Sequence, residues 1–193
     1  MEAVKKKRRV IPGYLIYELR YGKPIYYKDY DKVLRGELSP EDIMGSSFLQ
    51  ASLVALIVAY LHSVVDKKKY IVATNELGYR FAPKSRYSLD IAIVEREKVK
   101  EPSDSYLQVP PKVVIEVDTK ADLRRFPSAE DYYFMKTKDL LQACVERVLW
   151  IFTRERLVLV AQKGERWFIT DWRDTVEVME GVPLNLEKLL QET

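Results

Sequence analysis

Between Asp42 and Asp66 the chain carries no charged residue, and that stretch limits what the rest can fold into. A run this apolar either crosses a membrane or lies against a protein core. A spanning helix needs about 20 predominantly apolar residues. Here Gly45, Ser46, Ser47, Gln50, Ser52, His62 and Ser63 interrupt the stretch, and its unbroken apolar part runs only from Leu53 to Leu61. The spacing therefore predicts a buried core helix to about Val65, with Leu49, Leu53, Leu56, Ile57, Tyr60, Leu61 and Val64 on its inner face. Ser39-Pro40-Glu41-Asp42 supplies the helix start: a capping serine, proline at the first position and acids in the positive first turn. Gly45-Ser46-Ser47 predicts a break between that start and the core helix.

The 193 residues suit one domain, expected over 24–193, preceded by a basic, tyrosine-containing arm over 1–23. With 47% hydrophobic and 32% charged residues, the composition excludes a disordered polymer. The basic start runs into VIPGYLIYELRYG rather than an apolar segment, so no secretory signal is expected. A lone cysteine, Cys144, forms no internal disulfide, which points to the reducing cytoplasm. The net charge of +3 is unevenly placed: residues 1–30 hold eight bases against three acids, and the remainder is slightly acidic. Any attraction for phosphate is therefore local. Lys5, Lys6, Lys7, Arg8 and Arg9 are its candidates, and Tyr14, Tyr17, Tyr21, Tyr26, Tyr27 and Tyr30, interleaved with Arg20, Lys23 and Lys28, could stack bases.

After Lys69 the pattern changes period. KYIVATNELGYRF reads as two short strands around Leu77-Gly78, SLDIAIVE as an alternating strand and KVVIEVDTK as a β-branched one. Ser128 opens a second helix to about Val145. RVLWIFT, RLVLVAQ, RWFITDW and TVEVM then predict strands forming a C-terminal β-meander, and a short helix near Leu186–Gln191 closes the chain. The order predicts an α/β fold, a mixed sheet with helical cover.

Acids inside apolar strands are the informative residues. Glu116 and Asp118 stand two apart, so a regular strand would send both to one face, and Asp90 interrupts its strand in the same way. If the two strands are neighbours, three carboxylates converge. Close, desolvated carboxylates repel one another and call for a cation, and hard oxygen ligands suit Mg²⁺ or Mn²⁺. Pairing of the acids with Lys120, Arg86 or Arg124 on a solvated face is the alternative. On the second helix, Lys136 falls near the middle of the apolar arc while Lys138 points to the polar side. A buried ammonium needs an anion, and the acids would supply one. His62 is the only histidine, so neither a His-based zinc site nor a triad can be assembled with Cys144 alone.

These residues resemble the PD-(D/E)xK nuclease superfamily and, more narrowly, its Uma-type restriction-endonuclease-like family. GELSPEDIMGSSFLQ, TNELGYRF, SLDIAIVE, PPKVVIEVDTKAD, YYFMKTKDLLQACVERVLWIFT and VPLNLEKLL carry the likeness. The resemblance implies a restriction-endonuclease-like mixed β-sheet flanked by helices. It makes Asp90 the first metal-binding acid and Glu116 the second, with the carbonyl of Val117 as a further ligand. The superfamily lysine would fall at 118, where this chain has Asp118, so the lysine must be Lys120 or the helix-borne Lys136; Asp118 would act through water or orient a lysine. Gln50 and Glu76 are expected to orient the acids.

The implied activity is Mg²⁺- or Mn²⁺-dependent endonucleolytic hydrolysis of DNA phosphodiesters, with RNA not excluded, no membrane partner, and pairing into a homodimer or higher homo-oligomer. The alternative from another class is a catalytically silent nucleic-acid-binding or assembly module on the same fold.

Overall fold

The computed structural model describes residues 10–99, 101 and 103–191. The basic run Lys5–Arg9 lies outside the described residues. In chain order the elements are strands β1 (Ile16–Arg20) and β2 (Lys23–Tyr26), and helices α1 (Tyr30–Leu34), α2 (Pro40–Met44) and α3 (Phe48–Val64). Strands β3 (Tyr70–Ala82), β4 (Ser85–Glu95) and β5 (Val113–Val117) precede helix α4 (Ala129–Gln142). Then come β6 (Arg147–Phe152), β7 (Leu157–Gln162), β8 (Phe168–Asp171), β9 (Val176–Met179), β10 (Val182–Leu184) and α5 (Leu186–Gln191).

The main sheet runs β2-β1-β4-β5-β6-β7-β8, with β3 also paired to β4. All pairings are antiparallel except β5 with β6, which run parallel and are joined across one face by α4. Strands β6, β7 and β8 form a meander, whereas TVEVM leaves the main sheet and pairs with β10. The fold is thus the expected mixed sheet with helical cover on both faces.

Each face has its own core. Leu53, Ile57 and Leu61 of α3 pack with Ile91, Ile93, Val113, Ile115 and Leu149. Tyr132 and Leu140 of α4 pack on the other face with Ala92, Val114, Val148 and Trp150. The inner face of α3 is narrower than its composition predicts, since Leu49 and Val64 remain 44% exposed. No helix among the described residues is long and apolar enough to cross a membrane.

Both expected helix starts form. The Ser39 amide donates to the Asp42 carboxylate at 2.8 Å. The Ser128 hydroxyl accepts the Asp131 amide while Asp131 accepts the Ser128 amide, a reciprocal cap. Ser47 caps α3 by accepting the Gln50 amide at 3.2 Å, which places Gln50 in the first turn.

Other expectations change as well. KYIVATNELGYRF is one strand, not two, with an irregularity between Thr74 and Leu77. The arm expected over residues 1–23 does not extend so far: β1 and Lys23, the first residue of β2, belong to the sheet, with Leu15 and Tyr17 in the core. Tyr17 and Tyr26 are consequently core residues rather than base-stacking platforms; Tyr14 and Tyr21 remain exposed.

Candidate active site

The register of two strands brings the acids together. Strand β4 pairs with β5 through Ile93–Val113, Ala92–Val114 and Ile91–Ile115. The next opposed positions are Asp90 and Glu116. There the backbone ladder stops, and the Asp90 Oδ2 accepts the Val117 amide at 2.8 Å. On the other side of β4 the pairing with β3 also breaks: Thr74 opposes Ile91 and Leu77 opposes Leu89, leaving Asn75 and Glu76 against Asp90. Both take left-handed backbone conformations, with φ of 69° and 54°. Asp90 is therefore flanked by two irregularities, the kind of local break that re-aims side chains.

Lys136 reaches this cluster from α4. Its side chain is closed off from solvent, and Nζ lies 2.9 Å from Glu116 Oε1. It donates to Glu18 Oε1 at 2.7 Å and to the Ser88 carbonyl at 2.9 Å. The approach to Glu116 is an ion contact without hydrogen-bond alignment, so Glu116 Oε1 is buried without a hydrogen-bond donor. From α3, the Gln50 amide donates to the Val117 carbonyl at 2.7 Å.

These surroundings set the charges. Burial pushes Glu116 up to about 8, with Asp90 and Glu18 adding repulsion and Lys136 opposing it. Burial also raises Asp90, against the Val117 amide, Lys136 and Gln50. For Lys136, burial alone would favour the neutral amine. Glu116 and Glu18 more than offset that and hold it well above its ordinary value.

The remaining candidates separate. Asp118 lies one residue past β5 with φ of 55°, so the alternation ends before it and it does not share the face of Glu116. Its carboxylate accepts the Thr153 amide at 2.9 Å and the Thr153 hydroxyl at 2.6 Å, tying the ends of β5 and β6. Both carboxylate oxygens of Asp118 are thus engaged in that tie. Lys120 forms an ion pair with Glu76, and burial lowers its pKa. Glu76 is thus the partner of Lys120.

Glu18 is the residue that sequence reading missed. It is fully buried, and besides Lys136 it accepts the Tyr132 hydroxyl at 2.8 Å and the Ser88 amide at 3.3 Å. Its signal was present: in IYELR an acid interrupts an apolar pattern, as Asp90 does in its own strand.

The residues fit a divalent ion through the chemistry of their donors. Two opposed carboxylates, one with a buried oxygen lacking a hydrogen bond, and an adjacent backbone carbonyl are hard donors. They are too few to enclose an ion, but Mg²⁺ retains waters and takes substrate phosphate as ligands. Among the described residues no group of three or more His, Cys, Asp or Glu side chains could hold a metal by itself.

No curated protein matches the sequence. A solved structure from Anabaena variabilis, described as "a putative nuclease belonging to DUF820", superposes with a TM-score of 0.67. It shares 15% identity, and the match covers 90% of this chain and 89% of that one, which establishes a common fold. Residues 31–192 match the profile of Uma2, described as "Putative restriction endonuclease". Since that segment is most of the chain, the protein belongs to the Uma2 family.

Proposed function

We propose that the protein is a Mg²⁺- or Mn²⁺-dependent endonuclease hydrolysing DNA phosphodiester bonds. The observation that carries this reading is the opposition of Asp90 and Glu116 on neighbouring strands, with the Lys136 ammonium 2.9 Å from Glu116. Asp90, Glu116 and the Val117 carbonyl would hold the ion, which when bound supplies Lewis acidity and a water of lowered pKa. The chain's own residues do the rest. Gln50 fixes the Val117 carbonyl beside Asp90. Lys136 provides positive charge beside the carboxylates, where charge develops on the phosphoryl oxygens. Lys120, paired with Glu76, would meet substrate phosphate if that pair opens.

The rival reading is a silent nucleic-acid-binding or assembly module. It is favoured by the closure of the cluster, since Lys136 is fully buried and Glu116 is 1% exposed. Cleavage of supercoiled DNA with and without Mn²⁺ distinguishes the two. The nuclease reading expects metal-dependent nicking that Asp90→Asn abolishes. Cleavage that survives this substitution, or none on any nucleic acid, sinks it. A duplex presents two strands, and a homodimer would bring a site to each.

A further inference from the structure

The N-terminal hairpin lies outside the family match, which begins at residue 31, yet it enters the site. Strand β1 pairs with β4 at Leu19–Arg86, and this sets Glu18 beside Ser88 and Lys136. A second link ties the same strand to α4: Arg20 donates to both Asp139 oxygens at 2.5 and 3.0 Å, and Tyr87 donates to Asp139 at 2.5 Å. Asp139 is one turn along α4 from Lys136, so two polar contacts from β1 fix the face of the helix that carries the lysine.

We propose that Glu18 is a positioning residue of the active site, supplied by the hairpin to hold the Lys136 ammonium so that one N–H stays directed at the reacting centre. This rests on the nuclease reading. An ammonium has three donors. Two are spent in aligned hydrogen bonds, to Glu18 and to the Ser88 carbonyl. The third faces Glu116 without alignment. Glu18 is itself braced by Tyr132 and the Ser88 amide, so its carboxylate cannot swing away with the lysine.

The ion contacts point the same way. A purely structural ion pair would match one base with one acid. Here one buried ammonium touches two buried carboxylates, Glu18 at 2.7 Å and Glu116 at 2.9 Å, with Asp90 on the strand neighbouring Glu116. Glu18 takes the lysine's charge and leaves Asp90 and Glu116 to act as metal ligands.

The experiment compares wild type with the near-isosteric Glu18→Gln and with Tyr132→Phe, which removes only the brace. Three readouts are taken: thermal melting, the Lys136 Nζ ammonium signal by ¹⁵N-selective NMR without metal, and steady-state cleavage of a DNA duplex with Mn²⁺. The expected result is a Lys136 signal protected from exchange in wild type and lost in Glu18→Gln. With it, kcat should fall about 10- to 100-fold at unchanged KM, as for other residues that orient a metal-site group. Tyr132→Phe should show a smaller change in the same direction. Wild-type kcat in a folded Glu18→Gln, or a Lys136 signal that survives it, overturns the role of Glu18 alone. Absence of cleavage by the wild type overturns the nuclease reading and this role with it.

Discussion

Lys136 and Glu116 face each other at 2.9 Å, with side chains 0% and 2% exposed, and neither can leave without stranding the other in the core. The same ammonium holds Glu18 at 2.7 Å. Substituting the lysine is therefore a test of folding as well as of chemistry.

Lys136→Ala should abolish cleavage and also destabilise the protein by roughly 3–5 kcal/mol, the usual cost of removing one partner from a buried charge cluster. The sequence alone suggests a milder effect, because ending the burial of one charge offsets the loss. The structure argues otherwise, since buried Glu18 and Glu116 lose a partner at 2.7 and 2.9 Å at once. Urea denaturation gives the value, and a loss under about 1 kcal/mol would show that the acids simply take up protons instead. Lys138→Ala, on the polar side of α4, should leave both properties unchanged.

Asp90 can be tested in two steps. Asp90→Asn keeps an oxygen for the Val117 amide, so stability should change little while metal-dependent cleavage disappears. Asp90→Ala removes that acceptor from a buried N–H and should cost a further 1–3 kcal/mol or so. Equal stability of the two variants by denaturant titration would contradict the hydrogen bond.

A pH dependence follows from Glu116. Its acid keeps the proton in the folded, ion-free protein up to about 8, whereas in the unfolded chain it is lost near 4.5. Between those values the folded state binds more protons, so ion-free stability should fall as pH rises across that window. An ion bound there must displace the proton, so Mn²⁺ affinity should rise with pH and level off above about 8. Calorimetry across this range is the check, and an affinity flat from pH about 6 to about 9 would sink the assignment.

Asp118→Ala should leave Mn²⁺ affinity intact while lowering stability by about 1–3 kcal/mol, through lost hydrogen bonds to Thr153 and strain at a left-handed position. A large loss of metal binding without loss of stability would restore Asp118 to the site.

Truncation separates the basic run from the hairpin. Deleting residues 1–9 removes five bases and one acid, and should weaken DNA binding most at low salt while the fold survives. Deleting residues 1–23 removes Leu15, Tyr17 and Glu18 from buried positions and should prevent folding. Fluorescence anisotropy against salt and circular dichroism read the two outcomes.

Much of this was legible from residue patterns, for stated reasons. The serine and proline helix start, the charge-free core helix and the alternation in SLDIAIVE are local signals, and each appears where local chemistry places it. Lys136 was found because 100° per residue put a charge on an apolar arc. Asp118 was misplaced because alternation was extended one residue past Val117, where the backbone turns left-handed. Glu18 was missed because its partners lie 70 to 118 residues away, at Ser88, Tyr132 and Lys136, and no local period reports that distance. Treating the first 23 residues as an arm then removed it from consideration altogether.

The ladder between β4 and β5 gives up its next rung so that Asp90 can take the Val117 amide. Because side chains alternate along a strand, a slip of one residue in that pairing would bring Leu89 or Ile91 opposite Glu116 and point Asp90 at the wrong layer. No partly formed site exists between these registers. Assembly of the acids is thus a readout of whether the sheet has zipped correctly, and under the proposed metal site misregistered chains would be blind to the ion rather than weak in binding it. On the proposed nuclease reading, unfinished copies would hold no centre with which to nick DNA, because Asp90 and Glu116 meet only with the final alignment of the two strands.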